Sequence, residues 1–323
     1  MAIGEPHPSD RPAARPGPND QAPSATVAIV TKNRKEELAT AIESALRQDA
    51  PCEVIVVDDG STDGTSEFVS QHYPSVRLIS FPESAGYIVR RNQVARMARA
   101  PIVFSIDDDA IFTGPRAVRQ TLSDFDDPRI GAVAIPFIDV RISPEVRQAA
   151  PDERQTYVSF TFTGTAYAVR RELFLKLGGY REILVHMCEE SDFCQRMLQA
   201  GYVTRLGRAD PIHHTASPKR DLTRMDVYGR RNDVLFAWYN VPLRYLPIHM
   251  TATVFNGLRH GVRTRRLMNM VRGFLYGFAT CWKSRGDRRP VSAPVYRLGR
   301  TLKKGGCKPL AEIEQLLPQR LDP

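Results

Sequence analysis

The sequence predicts an α/β fold, with a mostly parallel, Rossmann-like central sheet flanked by helices and a helical extension at the C-terminal end. Three observations carry that expectation. Short β-branched runs alternate with amphipathic segments from Thr26 to Ile106, and strands joined by helical crossovers run parallel with both faces covered. Polar clusters follow those runs directly, at the strand ends where such sheets place their ligands. The 323 residues also suffice to bury a substantial core.

Residues 1–24 carry Pro6, Pro8, Pro12, Pro16, Pro18 and Pro23 among small and charged residues, with no apolar periodicity to drive ordering, so a disordered leader is expected. The leader lacks the apolar segment of a secretory signal, and no later stretch has about 18 uninterrupted apolar residues. A cytoplasmic location is the resulting expectation. Thr26–Val30 reads as a buried strand and Glu36–Arg47 as a helix. Glu53–Val57 then reads as a strand, the segment after Thr65 as a helix, Val76–Ile79 as a strand, Ile88–Arg99 as a helix and Ile102–Ile106 as a strand.

Beyond Asp109 the pattern changes. Ile130–Pro136 and Thr165–Val169 keep strand character, whereas Arg141–Thr156 is polar and proline-interrupted, as a loop would be. Glu190–Ala200 has a helical pattern, with acids at its start that suit the helix dipole and Gly201 as its stop. After Arg220 the chain reads as helices broken by Pro242 and Pro247, followed by the apolar-aromatic stretch Leu267–Trp282. The expected organisation is therefore a leader (1–24), a main domain (25–220) and a basic helical extension (221–323).

Five cysteines, Cys52, Cys188, Cys194, Cys281 and Cys307, are odd in number and lack CxxC spacing, which supports neither a disulfide framework nor a zinc site. Charge is unevenly spread. From Arg259 to Pro323 there are fifteen Lys or Arg and four Asp or Glu, a net of +11, which leaves −2 of the chain's +9 for the remainder. A basic tail on a near-neutral body points to anionic lipid or nucleic acid, or to a solvated helical face. Leu267, Met270, Val271, Phe274, Leu275 and Phe278 recur there at helical spacing among Arg265, Arg266, Arg272, Lys283 and Arg285. A core helix or peripheral attachment to an anionic membrane would both produce that pattern.

The strongest chemical signal is Ser105-Ile106-Asp107-Asp108-Asp109. Three carboxylates after an apolar strand repel one another and need a compensating cation, so a divalent metal carrying phosphate is favoured over an acidic turn. Asp58-Asp59-Gly60-Ser61 by itself reads more readily as an ordinary turn that caps the next helix than as a site. Together, the ordered motifs resemble the family 2 glycosyltransferases and their GT-A fold. They are Val27–Arg34, Val56–Thr65, Arg91-Asn92, Asp107–Asp109, Gly178-Gly179-Tyr180 and Glu189–Phe193, with His213-His214 at the end.

The resemblance implies that Thr31, Arg34, Asp58 and Asp59 hold the nucleotide, Asp59 being the favoured base contact. It further implies that Arg91 approaches the diphosphate, and that Asp107 and Asp109 bind Mg²⁺ or Mn²⁺ across it. Glu190 matches the catalytic base, with Glu189 and Asp192 close enough to be alternates, and either His213 or His214 would add a metal ligand. The implied reaction is inverting transfer from a nucleotide diphosphate sugar, UDP- or dTDP-linked, to a glycan or lipid-linked acceptor at the inner face of the membrane. A sugar nucleotidyltransferase would also use sheet-end carboxylates, but Val30–Arg34 lacks its Gly-rich phosphate loop. A nucleic-acid-binding protein using the basic tail ranks third, because the tail has no recognised binding motif, and no nucleic-acid partner is expected.

Overall fold

A computed structural model describes residues 22–215 and 221–321. Most of the expected leader, the boundary around Arg220 and the last two residues lie outside the described residues. The first part of the chain alternates strand and helix as β1 (Ala25–Thr31), α1 (Lys35–Leu46), β2 (Cys52–Asp59), α2 (Thr65–His72), β3 (Arg77–Phe81), α3 (Tyr87–Met97) and β4 (Ile102–Asp107). These four strands lie side by side in the order β4-β1-β2-β3, all parallel. Their register sets Thr31 opposite Asp58 and Val30 opposite Asp107, so the polar strand ends converge on one edge.

Period-2 alternation assigns the two faces. Val27 and Ile29 join Leu38, Ala41, Ile42 and Val69 from α1 and α2 in one core, whereas Ala28 shares the opposite core with Ile88, Val94 and Ala95 from α3. Because both faces of β1, β2 and β4 are buried, these three strands are largely apolar, whereas the edge strand β3 is not buried.

The chain continues through β5 (Ala110–Phe112), α4 (Ala117–Ser123), β6 (Ile130–Ala134), β7 (Phe137–Asp139), β8 (Val146–Arg147), β9 (Tyr157–Ser159), β10 (Ala166–Arg170), α5 (Arg171–Lys176), α6 (Glu189–Gln199), β11 (Val203–Leu206) and β12 (Ile212–His214). Here the sheet becomes mixed. β10 inserts antiparallel between β4 and β6, β11 pairs parallel with β6, and β9 pairs antiparallel with β11. A second sheet, β5-β12-β7-β8, sets His214 opposite Ala110 and Asp139. The expected loop Arg141–Thr156 contains only the two-residue β8.

The extension forms α7 (Leu222–Asn240), α8 (Leu246–Arg263), α9 (Leu267–Lys283), α10 (Ala293–Gly305), β13 (Lys308–Pro309) and α11 (Leu310–Ile313). α7 stops before Pro242, but Pro247 opens α8 instead of breaking a helix, because the first turn needs no N–H from it. The extension is continuous with the main domain. β13 completes the large sheet beside β9, while Val234, Leu235, Met270 and Phe274 join the core that contains Ala28. Of the apolar set predicted on α9, Met270 and Phe274 are buried while Leu267, Leu275 and Phe278 are exposed. All five cysteines are free. No helix among the described residues is long and apolar enough to cross a membrane.

Candidate active site

The carboxyl edge of the parallel strands opens into a cleft of about 740 Å³, whose lining includes Lys32, Arg34, Arg91, Asp107, Asp109, His214, Glu189 and Glu190. The strands end there because each apolar run meets charge. Asp107 is the last residue of β4, and its Oδ1 accepts from Arg91 Nη2 at 2.7 Å. Asp108 turns inward, where it accepts from Thr31 Oγ1 and from Arg34 Nη1, each at 2.8 Å. Burial pushes its pKa up to about 6, with Asp107 and Asp109 adding to the rise. Asp109 accepts from the same Arg34 nitrogen at 2.9 Å and lies 3.2 Å from His214 Nε2. Burial alone would raise the Asp109 pKa, but His214 and Arg34 bring it below the usual carboxylate range.

Ligand atoms of Asp107, Asp109 and His214 all lie within 4.8 Å of one another. Two carboxylates and an imidazole are a donor set that Mn²⁺ or Mg²⁺ accepts, so these residues fit the expected cation. The structure also separates the two histidines. His214 is buried against the acids, whereas the alternation of β12 leaves His213 exposed. Behind His214, Asp139 Oδ2 lies 3.6 Å from Nδ1, and both Asp139 Oδ1 and His214 Nδ1 lack a hydrogen-bond partner. A carboxylate behind a ligating imidazole orients the ring and raises its basicity. Sequence reasoning missed Asp139, because a lone acid ending a three-residue strand carries no signal.

Across the cleft, α6 presents Glu189 and Glu190 in its first turn. The approach is strained: Val185, Met187 and Cys188 all have positive φ, between 61° and 73°. Such strain persists only where neighbours enforce it. Asn232 Nδ2 of α7 donates to the carbonyls of Leu184, His186 and Met187, and Met187 N donates to the Tyr87 hydroxyl. Burial and the Glu189 charge push the Glu190 pKa well up. Arg91 joins the two halves, pairing with Asp107 and placing Nη1 3.7 Å from Glu189 Oε1. Gly164 makes room for this crossing. A Cβ there would lie 2.9 Å from Arg91 Nη1 and would collide with Glu190 Oε1.

Three expected nucleotide contacts, Thr31, Asp58 and Asp59, stand behind the cleft wall and do not line it. The Asp59 carboxylate is occupied by Ser84 Oγ, Ala85 N, Gly86 N and Arg90 Nε at 2.6–2.9 Å. Burial opposes its ionisation, but these four donors outweigh that and lower its pKa. Asp58 accepts from Ser61 N and Ser66 Oγ. Each acid shapes a loop, and base contact by Asp59 would require exchange of one of its donors. Asp192, the remaining alternate base, faces away from the cleft. It is fully buried and accepts from Arg181, Arg196 and Asn240.

The glycosyl transferase family 2 sequence profile matches residues 26–178. The chain is 26% identical over 223 residues to the O-antigen chain rhamnosyltransferase WbaN of Salmonella anatum, covering 62% of this chain and 70% of that protein. It is also 26% identical over 286 residues to an N-acetylglucosaminyl-diphospho-decaprenol L-rhamnosyltransferase of Mycobacterium tuberculosis, covering 71% and 91% respectively. Its fold is similar to that of a mannosyltransferase from Pyrobaculum calidifontis solved in complex with GDP-Man and Mn²⁺. The TM-score is 0.56 at 22% identity, over 91% of this chain and 83% of that one. The strand-end motifs from Thr31 to Asp109 fall in residues 26–178, where the chain matches glycosyl transferase family 2, and with its GT-A sheet the chain is a glycosyltransferase.

Proposed function

We propose that this enzyme transfers a sugar, with inversion, from a UDP- or dTDP-linked donor to a glycan carried on an apolar diphosphate, assisted by a divalent cation. One observation carries the proposal: the Asp107–Asp109–His214 cluster and the Glu190 carboxylate face the same cleft, with Arg91 between them. The rhamnosyltransferase relatives favour a deoxyhexose, and the name of the mycobacterial relative favours a lipid-linked acceptor.

Asp107, Asp109 and His214 would hold Mg²⁺ or Mn²⁺, which when bound neutralises the charge that grows on the departing nucleotide diphosphate. Arg34 and Lys32 line the same wall and suit the donor's phosphates, while Thr31, Asp58 and Asp59 keep the nucleotide-side loops in shape. Arg91 is the cation nearest both halves. Burial would weaken its charge, but Asp107 and Glu189 strengthen it. Glu190 removes the acceptor hydroxyl proton as that oxygen attacks the anomeric carbon. A carboxylate whose proton affinity is raised by burial is a stronger base, once ionised, than a solvated one. Attack from the face opposite the diphosphate inverts the centre. The exposed apolar and basic surface of α8 and α9 supports peripheral contact with an anionic membrane, where such an acceptor resides.

Thermal stabilisation by a panel of UDP, dTDP and GDP sugars, with and without Mn²⁺, tests this reading. Asp107→Asn, Asp109→Asn and His214→Ala should abolish the Mn²⁺-dependent shift, and His213→Ala should keep it. Glu190→Gln should keep the shift and lose transfer by about 10²- to 10⁴-fold. Full transfer by Glu190→Gln, or a shift that persists in both Asn variants, would refute the assignments.

A further inference from the structure

A second cavity, of about 520 Å³, lies between α6, α7, α8 and α10. It shares Met187 with the catalytic cleft, and Cys188 and Ser191, which flank the Glu189–Glu190 pair, line it. The first turn of α6 is therefore the partition between the two chambers.

Its charge is positive. Arg230 and Asp233 pair at 2.9 Å and cancel. Arg300 and Lys303 remain, three residues apart on one face of α10, and neither forms an ion pair among the described residues. Burial and these two cations push the His249 pKa down to about 4, so the imidazole is neutral while its Nδ1 meets the Tyr296 hydroxyl at 2.8 Å. Gln195 supplies an independent sign. It is only 2% exposed, and its Nε2 has no hydrogen-bond partner. Gly299 leaves the space the amide needs, because a Cβ there would stand 2.6 Å from Gln195 Oε1. A buried donor without an acceptor is costly. The Lys303 ammonium lies 5.8 Å over the Phe160 ring and also favours the charged form of Asp233, and together with Arg300 it sets two cations beside that donor that suit an oxygen-rich anion. α8 supplies His249 and Asn256 to this cavity and exposes Ile248 and Phe255 beside them.

We propose that this cavity is an acceptor subsite that receives the phosphate or diphosphate joining the acceptor glycan to its apolar chain, with the chain leaving over Ile248 and Phe255 of α8. The inference rests on the lipid-linked acceptor proposed above and locates its anionic link. An acceptor held there passes Met187 to bring its sugar to Glu190, on the other side of the partition.

Calorimetric titration of the metal-free protein with geranyl diphosphate, pyrophosphate and geraniol is the test. Absence of metal keeps the diphosphate from binding through a cation at the acidic cluster. Geranyl diphosphate should bind at least about tenfold more tightly than either fragment. The double variant Arg300→Gln/Lys303→Gln should lose about tenfold or more of that affinity, and Gln195→Met, which keeps the volume but removes the donor, should also weaken it. Lys304→Gln removes a charge from the same helix outside the cavity and should have no effect. Unchanged affinity in the double variant overturns the proposal, as does an equal loss in Lys304→Gln. Pyrophosphate binding as tightly as geranyl diphosphate would mark a free-phosphate site, and geraniol doing so would mark an apolar groove; either result also overturns it. The titration uses neither donor nor metal, so a failure of donor binding would refute the proposed function without altering this readout.

Discussion

Burial and the neighbouring Glu189 carboxylate hold the Glu190 proton well above the ordinary carboxylate range, so the folded chain keeps a proton that the unfolded chain releases. For an acid whose folded pKa is raised, stability is greatest below the unfolded pKa and falls as pH rises toward the folded one. Glu190→Gln removes the Glu190 share of that descending limb and leaves the smaller share of Glu189, whose pKa burial also raises. In melting experiments from about pH 4 to about pH 8, the variant should match the wild type at the acid end and exceed it at the other. A wild-type melting temperature that tracks the variant at every pH would show that no such penalty exists. A base that weakens the fold it sits in is the expected signature of a functional site. The same physics decides which site residues were legible. Asp107–Asp109 stand out in the sequence because unpaired acids after a buried strand are expensive, and Arg34, Arg91 and the histidine pair follow from matching motifs. Asp139 acts through the His214 ring, Tyr87 through Met187 N and Asn232 through three carbonyls of a strained loop, and ordinary residues at ordinary spacing reveal none of these.

α6 has to hold its first turn at a fixed height above the acidic cluster, and a single buried acid anchors it. Asp192 accepts from Arg181 and Arg196 on its own side and from Asn240 of α7, with no access to solvent. Removal of one member of such a buried network leaves the partner charges unpaired. Asp192→Ala should therefore cost about 3 kcal/mol or more in urea denaturation, whereas an acid whose only task was catalytic would unfold at the wild-type midpoint. The sequence shows α6 by its apolar stripe of Phe193, Cys194, Met197 and Leu198, but Asp192 lies outside that stripe and its partners are brought in by tertiary packing. Strand legibility has a similar limit. β1, β2 and β4 are long apolar runs buried on both faces and are readable as such. β5, β7 and β9 have three residues each, too few to establish an alternation, although β7 carries Asp139 and β5 fixes the register of His214.

The charge asymmetry of the whole chain becomes interpretable once the helices are in place. α9 buries Met270 and Phe274 against the body but turns Leu275, Phe278 and Trp282 outward, and α8 exposes Phe255 and Val262; Trp282 is 73% exposed and Leu275 66%. These side chains leave apolar surface of both helices in contact with water. Arg259, Arg263, Arg265, Arg272, Lys283 and Arg285 are exposed on the same two helices and their ends. Apolar side chains that enter the lipid boundary and cations that meet anionic headgroups reinforce each other on one surface. Two terms of different origin should then separate in vesicle sedimentation. Recovery should be greater with phosphatidylglycerol-containing vesicles than with phosphatidylcholine alone, and added salt should erode the difference, because each basic residue contributes about 1 kcal/mol only within a Debye length. Phe255→Ala/Trp282→Ala should lower partitioning by about tenfold or more even at high salt, since about 2 kcal/mol of burial accompanies each large side chain. Equal, salt-insensitive recovery with both vesicle types would show that the basic surface meets no membrane, and undiminished partitioning of the aromatic variant would move the contact away from these helices.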